Sequence, residues 1–331
     1  MKEPGDLRSL TGLVIRGSRN IFTVRVAGDE ESEAEIECRI KGKVLKGVEG
    51  FYNPLAPGDW VSLEREPSHP GKGRILAVQA RRNQFTRLNQ QGFDRNRSTL
   101  PQILAANIDA VFCVCTPASP PWRPRFLDRL LLQADIARIP SWIVCNKWDL
   151  FDGDLDINER LEDFRRIGYP VLRVSAKSGE GLEELREAAA GRLAALIGQS
   201  GVGKSTLINA LLPGAGQKTG VINEKYDRGN HITSMAILLG GSEDREGPAG
   251  FIDTPGIRRL LPDGISCGEL EFYMREFSPL AGKCSFGLSC AHRTEPGCKI
   301  MEAVHAGVIH EDRYESFLRI KDELAGKAVN E

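Results

Sequence analysis

Two hydrophobic rhythms share this chain. Between about Leu10 and Val78 the chain holds short apolar-rich runs, Thr11–Arg16, Ile21–Val26, Glu35–Ile40, Gly58–Leu63 and Arg74–Val78, and Glu35–Ile40 alternates polar with apolar residues. A period of two buries one side of a strand and wets the other. The first two runs flank a turn containing Gly17, Ser18 and Asn20. Five short strands with glycine turns predict a small β-barrel of the OB type. Such barrels often take oligonucleotides, but a fold does not by itself give a function. In the middle of the chain the rhythm changes. Trp142–Cys145, Val171–Val174, Leu193–Ile197 and Gly250–Ile252 are short, mostly apolar runs that end at polar or glycine-rich loops. Runs of this kind suit strands buried on both faces of a parallel sheet. A helix over Leu182–Ala195 and another over Thr206–Leu212 fit between them, and a pair of helices around Ile309, Tyr314, Phe317 and Leu318 closes the chain. The expectation is a multidomain protein: an OB-type barrel over 1–85, an α/β domain over 86–262 and a helical domain over 263–331.

The chemistry sits in the loops after the apolar runs. Gly198-Gln199-Ser200-Gly201-Val202-Gly203-Lys204-Ser205 follows one run, and Thr206 lies in the helix behind it. Strand, glycine loop and helix are the context of a P-loop, in which backbone N–H groups face phosphate. Lys204 is expected to reach the β- and γ-phosphates and Ser205 to ligate Mg²⁺. Asp253-Thr254-Pro255-Gly256 ends another run. Asp253 there can hold Mg²⁺ through water, and the Gly256 N–H can meet the γ-phosphate. Asn146-Lys147-Trp148-Asp149 ends a third run. Asp149 can accept from guanine N1–H and the 2-amino group, which adenine lacks, so adenine would leave a carboxylate unpaired. Asn146 can tie the loop and reach the base edge, and the Lys147 stem can cover the base face. Ser175-Ala176-Lys177 follows the next strand and suits a backbone N–H aimed at guanine O6. The order of these motifs is unusual. Base-reading loops come first and phosphate loops second, as in a circularly permuted P-loop GTPase.

Between the P-loop and Asp253 lies Asp227-Arg228-Gly229-Asn230-His231-Ile232-Thr233-Ser234. A loop here could place Thr233, or else Ser234, on Mg²⁺ when the γ-phosphate is present. A plain solvated loop is the other reading. Arg81, Arg82, Phe85, Arg87, Arg95 and Arg97 form a basic stretch after the barrel. It reads either as a base-stacking platform around Phe85 or as a solvated linker. Near the end, Cys284, Cys290, His292 and Cys298 form a compact Cys₃His set. That set suits a structural zinc ion better than a disulfide or scattered core thiols. Cys38, Cys113, Cys115, Cys145 and Cys267 read as core thiols.

Bulk charge adds little, because 44 Lys and Arg oppose 45 Asp and Glu, a net charge of −1. Any nucleic-acid contact must therefore come from local patches. No apolar run approaches membrane-spanning length, and Met1–Asp6 has no apolar signal core. A cytoplasmic protein with no membrane partner is expected.

Together these motifs, their order and the Cys₃His segment resemble the RsgA-type GTPases of bacteria, and the resemblance spans nearly the whole chain. It implies an OB domain, a permuted GTPase domain and a zinc-bearing helical domain. It implies GTP/GDP, Mg²⁺ and one Zn²⁺ per chain, and a monomer that binds the small ribosomal subunit and its rRNA late in maturation. Hydrolysis would be stimulated by that subunit. Ile257 stands where many GTPases have a water-orienting Gln, and the resemblance points to His231 as the catalytic group instead. Two departures stand out. The family's Arg-His-Thr-Thr-Thr is here Asn230-His231-Ile232-Thr233-Ser234, and Cys284 and Cys290 are one residue farther apart than usual. Two rivals remain at this point: a nucleotide-gated RNA-binding scaffold with negligible turnover, and a P-loop ATPase or kinase. Asn146 and Asp149 oppose the second.

Overall fold

A computed structural model describes residues 10–18, 20–27, 35–42, 45, 48–88, 100–212, 235–240 and 250–326. The chain packs as two compact units. One holds Met1–Ala110, Arg186–Ile197 and Lys204–Gly256, and the other holds Val111–Leu185, Gly198–Gly203 and Ile257–Glu331.

In the first unit, the five short runs become β1 (Leu10–Ser18), β2 (Ile21–Val26), β3 (Glu35–Ile40), β4 (Trp60–Glu66) and β5 (His69–Val78). They pair in the order β1-β2-β3-β5-β4, and β4 pairs back onto β1, so the sheet closes into a barrel. Closure leaves no bare edge between these strands. Every second side chain points inward, and Val14, Phe22, Val24, Ile36, Cys38, Val61, Leu63 and Ile75 fill the interior. The described part of the basic stretch, Arg81 to Leu88, is neither a solvated linker nor a stacking platform. Gln84–Leu88 forms β6, which pairs antiparallel with β7 (Pro101–Ala106). Phe85 is fully buried. Arg81 neutralises the buried Asp59 carboxylate through Nε–Oδ1 and Nη2–Oδ2 bonds of 2.7 and 2.9 Å. Arg95 and Arg97 lie outside the described residues. Gly58 makes the approach of hairpin and barrel possible: its φ is +94°, and a Cβ there would stand 2.0 Å from the Ala106 carbonyl oxygen.

The same unit carries the phosphate strands. Leu193–Gly198 is β11, Ile237–Leu239 is β12 and Gly250–Asp253 is β13. β11 runs parallel to β13, β12 runs antiparallel to it, and Ile237 also pairs with Arg16 of β1. The helix predicted over Leu182–Ala195 is shorter. α3 covers Leu182–Ala189, because the chain turns at Gly191 (φ +65°) before β11 begins.

In the second unit, β8 (Ala110–Cys115), β9 (Ser141–Cys145) and β10 (Val171–Arg173) run parallel. Their crossovers are α1 (Pro124–Ile136) and α2 (Leu155–Arg166). Proline starts α1, where no N–H is needed. Asp154 caps α2 by accepting from Asp156 and Ile157 N–H. The C-terminal region adds α5 (Leu270–Tyr273), α6 (Lys299–His305) and α7 (Glu311–Leu324). Leu132 of α1 packs with Leu270, Phe277, Ile300, Phe317 and Ile320 around the three clustered cysteines. Below that core lies a buried charge network. Asp128 Oδ1 accepts from Arg160 Nη2 and Arg313 Nη1, both at 2.9 Å. Arg160 also pairs with Asp163 at 2.7 Å, and Arg313 with Glu276. Among the described residues no helix is long and apolar enough to cross a membrane.

Candidate functional site

The Asn146–Asp149 and Ser175–Lys177 loops and the glycines of the 198–205 loop belong to the second unit. Asn146 follows β9 directly and is almost fully buried. Its N–H donates to Cys115 O at 2.9 Å, its Nδ2 donates to Val202 O at 2.8 Å, and its Oδ1 accepts from Ala176 N–H at 3.2 Å. The side-chain amide thus joins the P-loop to the Ser175–Lys177 loop, while the backbone N–H ties the residue to the end of β8. Lys147 adopts φ +61°, and its Nζ donates to Ser119 O and Gly201 O at 2.7 Å each. Asp149 is exposed, and Ser175 Oγ donates to its Oδ1 at 2.7 Å. That bond orients the exposed carboxylate. Ala176 is half-buried and Lys177 exposed.

Within Gly198–Gly203, Gly198 and Val202 are buried, Gln199 is half-buried, and Ser200 and Gly201 are exposed. Gly203 cannot readily be anything else. Its φ is +91°, and a Cβ would lie 2.4 Å from Asn146 Nδ2. A side chain there would force apart the two loops that Asn146 joins. Ile257, past Gly256, is fully buried, and its N–H donates to Gly198 O at 3.1 Å. Its buried apolar side chain offers no group to hold water, in keeping with its reading from sequence.

The remaining residues expected at phosphate belong to the first unit. α4 (Lys204–Leu211) opens on the P-loop lysine, with Thr206 exposed in its first turn. Lys204 is buried at 6% exposure, and desolvation pushes its ammonium down to about 8, opposed in part by nearby Asp253. Ser205 Oγ donates to Asp253 Oδ2 at 2.6 Å. A hydroxyl and a carboxylate side by side are hard oxygen donors of the kind Mg²⁺ takes. Thr254 Oγ1 donates to Leu196 O at 2.7 Å, which holds Asp253-Thr254-Pro255-Gly256 against β11. His231, Thr233 and Ser234 lie outside the described residues.

The Cys₃His set converges. Ligand atoms of Cys284, Cys290, His292 and Cys298 all lie within 4.8 Å of one another, and all four residues are buried. His292 Nδ1 faces the sulfurs of Cys298 and Cys284 at 3.4 and 3.6 Å. Backbone N–H groups of Lys299 and Met301 point at Cys284 and Cys298 sulfurs. This soft sulfur-and-nitrogen set could hold a metal ion, and its composition is that of closed structural sites. Sequence reading missed Glu271. Its Oε2 lies 2.8 Å from His292 Nε2, so it fixes the ring with Nδ1 toward the sulfurs. It stands on α5, 21 residues before the histidine, with no local signal marking it. All eight cysteines are free thiols, which excludes the disulfide reading.

A family profile described as RsgA GTPase matches residues 78–261. The chain is 36% identical over 321 residues to the small ribosomal subunit biogenesis GTPase RsgA of Gemmatimonas aurantiaca, covering 97% of this chain and 99% of that one. It is 35% identical over 322 residues to the small ribosomal subunit biogenesis GTPase RsgA 2 of Bacteroides thetaiotaomicron, covering 96% and 98%. The crystal structure of YjeQ from Thermotoga maritima superposes with a TM-score of 0.68 at 32% identity, over 96% of this chain and 99% of that one. YloQ, described as a circularly permuted GTPase, superposes over 100% of both chains with a TM-score of 0.65 at 24% identity, a likeness of fold. Fold and loop order thus define a circularly permuted GTPase, an enzyme that hydrolyses GTP. The chain belongs to the RsgA GTPase family.

Proposed function

We propose that this GTPase binds the small ribosomal subunit through its rRNA late in maturation, in the cytoplasm and as a monomer, and that the subunit stimulates its GTP hydrolysis. Similarity over nearly the full length to relatives named for small-subunit biogenesis carries this reading. Sedimentation with purified subunits tests it. In a non-hydrolysable GTP analogue, the protein should travel with small subunits and not with large ones. Equal partition to both, or to neither, would overturn it.

Asp149 reads the guanine N1–H and 2-amino group, held in line by Ser175. Asn146 and Lys147 brace the base loop, and the Ser175–Lys177 loop supplies an N–H toward O6. Gly198 to Thr206 cradles the phosphates. Mg²⁺ would be held by Ser205 and Thr233, with Asp253 acting through water, and would offset charge on the β- and γ-phosphates. Gly256 senses the γ-phosphate. His231 positions the attacking water, since Ile257 carries no polar group. Turnover without the subunit should be slow, and subunit contacts would hold His231 and Thr233 at the nucleotide. A scaffold with negligible turnover is disfavoured by membership of a GTPase family.

Two expected results follow for the bound groups. Protein purified without added metal should carry one Zn²⁺ per chain by elemental analysis, held by Cys284, Cys290, His292 and Cys298. A metal-free protein with a fully folded C-terminal region would contradict it. Nucleotide affinity should also depend on pH through Lys204. The free ammonium titrates at about 8, whereas bound phosphate favours the charged form and raises that value. Above pH 8 the free protein has lost a proton that the complex retains, so binding takes up a proton and affinity falls as pH rises. The limit is roughly tenfold per pH unit. Calorimetry between pH 7 and 9 in buffers of different ionisation enthalpy should register that uptake. Affinity independent of pH and buffer would contradict it.

A further inference from the structure

A cavity of about 420 Å³ in the second unit is walled by six arginines against two carboxylates. It lies among the start of α1, the segment 258–260 and the outer face of α7. Three of the arginines are already paired. Arg129 binds Glu323 through both nitrogens at 2.7 and 2.9 Å, Arg259 lies 3.7 Å from the same carboxylate, and Arg125 pairs with Glu315. Arg123, Arg258 and Arg319 have no carboxylate partner among the described residues, and the first two are exposed. Ser316 also lines the cavity, and its buried hydroxyl makes no hydrogen bond. The cavity borders the N-terminal turn of α1, which holds no acidic residue, so the helix dipole there adds to the positive field. Unpaired guanidinium groups, a spare hydroxyl and a helix start in one concavity are a set for phosphate oxygens.

We propose that this cavity docks the phosphodiester backbone of RNA on the small ribosomal subunit. The proposal rests on the function assigned above and locates one of its contact surfaces. Three cations without a carboxylate partner among the described residues, at the start of α1, on α7 and on the segment 258–260, suit successive phosphates along a strand better than one small anion. Placement adds a consequence for regulation. Arg258 follows Gly256 by two residues, and Ile257 between them is bonded to the P-loop at Gly198. RNA held by Arg258 would therefore bear directly on the segment assigned to the γ-phosphate.

The test uses the full chain with the substitutions Arg123→Gln, Arg258→Gln and Arg319→Gln combined. Affinity for purified small subunits is measured with a non-hydrolysable GTP analogue across a salt series. Each phosphate contact contributes about one to the slope of log affinity against log salt. The slope should become shallower by about two to three, with roughly tenfold weaker binding at moderate salt. A control carrying Lys72→Gln, Arg138→Gln and Lys283→Gln should behave as the parent. If the triple variant misfolds, Arg123→Gln with Arg258→Gln should still lower the slope by about two. An unchanged slope and affinity would overturn the proposal while leaving the subunit function standing. Weaker binding at unchanged slope would assign the cavity to a protein partner, and equal loss in the control would reduce the effect to bulk charge. Either outcome overturns it. Failure of the parent protein to bind small subunits would instead remove the underlying function.

Discussion

Asp149→Asn should turn a guanine site into one that prefers xanthine. The carboxylate is an acceptor at both oxygens, matching the two donors on the guanine edge. An amide keeps one acceptor and replaces the other with a donor, which faces the 2-amino group in GTP but the 2-oxo group in XTP. Sites built to hydrogen-bond a substrate reject analogues lacking the matching group by roughly 10⁴–10⁵. The parent should favour GTP over XTP and ATP on this scale. In the variant GTP should weaken by several orders of magnitude while XTP gains. Ser175 Oγ can still donate to the amide oxygen, as it does to Asp149 Oδ1, so the loop itself should persist. Kinetics with the three nucleotides check this. A variant that keeps its GTP preference would remove Asp149 from the base site.

The second large effect is structural. Asp128→Ala should destabilise the second unit by about 3–5 kcal/mol. The carboxylate is fully buried and serves two buried guanidinium groups, from α2 and from α7. Its removal leaves Arg160 and Arg313 each short of one partner, close together and away from water. Asp163 and Glu276 remain, but each already binds its own arginine. The first unfolding transition in denaturant should move to a markedly lower midpoint. A change below about 1 kcal/mol would mean that the network contributes little beyond an exposed pair.

Much of the architecture was legible in the sequence, because local signals agreed with the global fold. The barrel strands were marked by short apolar-rich runs between glycine turns, and their observed bounds differ from the expected ones by a few residues. The P-loop and the Asn146–Asp149 and Ser175–Lys177 loops were legible because each motif ends an apolar run. The misses share a cause. The segment after the barrel read as a stacking platform or a solvated linker because arginines surround Phe85, yet Arg81 points to a buried aspartate 22 residues earlier. The α3 overrun arose because an alanine-rich stretch gives no stop signal except Gly191. The Asp128 network joins residues 32 and 185 positions apart, and Glu271 reaches His292 from another element. Partners fixed only by tertiary packing leave no periodic trace.

The most direct test of the account is GTP turnover by the purified protein alone, with small ribosomal subunits and with large ones. The account predicts slow hydrolysis alone, an increase of roughly tenfold or more with small subunits, and no increase with large subunits. Equal rates in all three would contradict it.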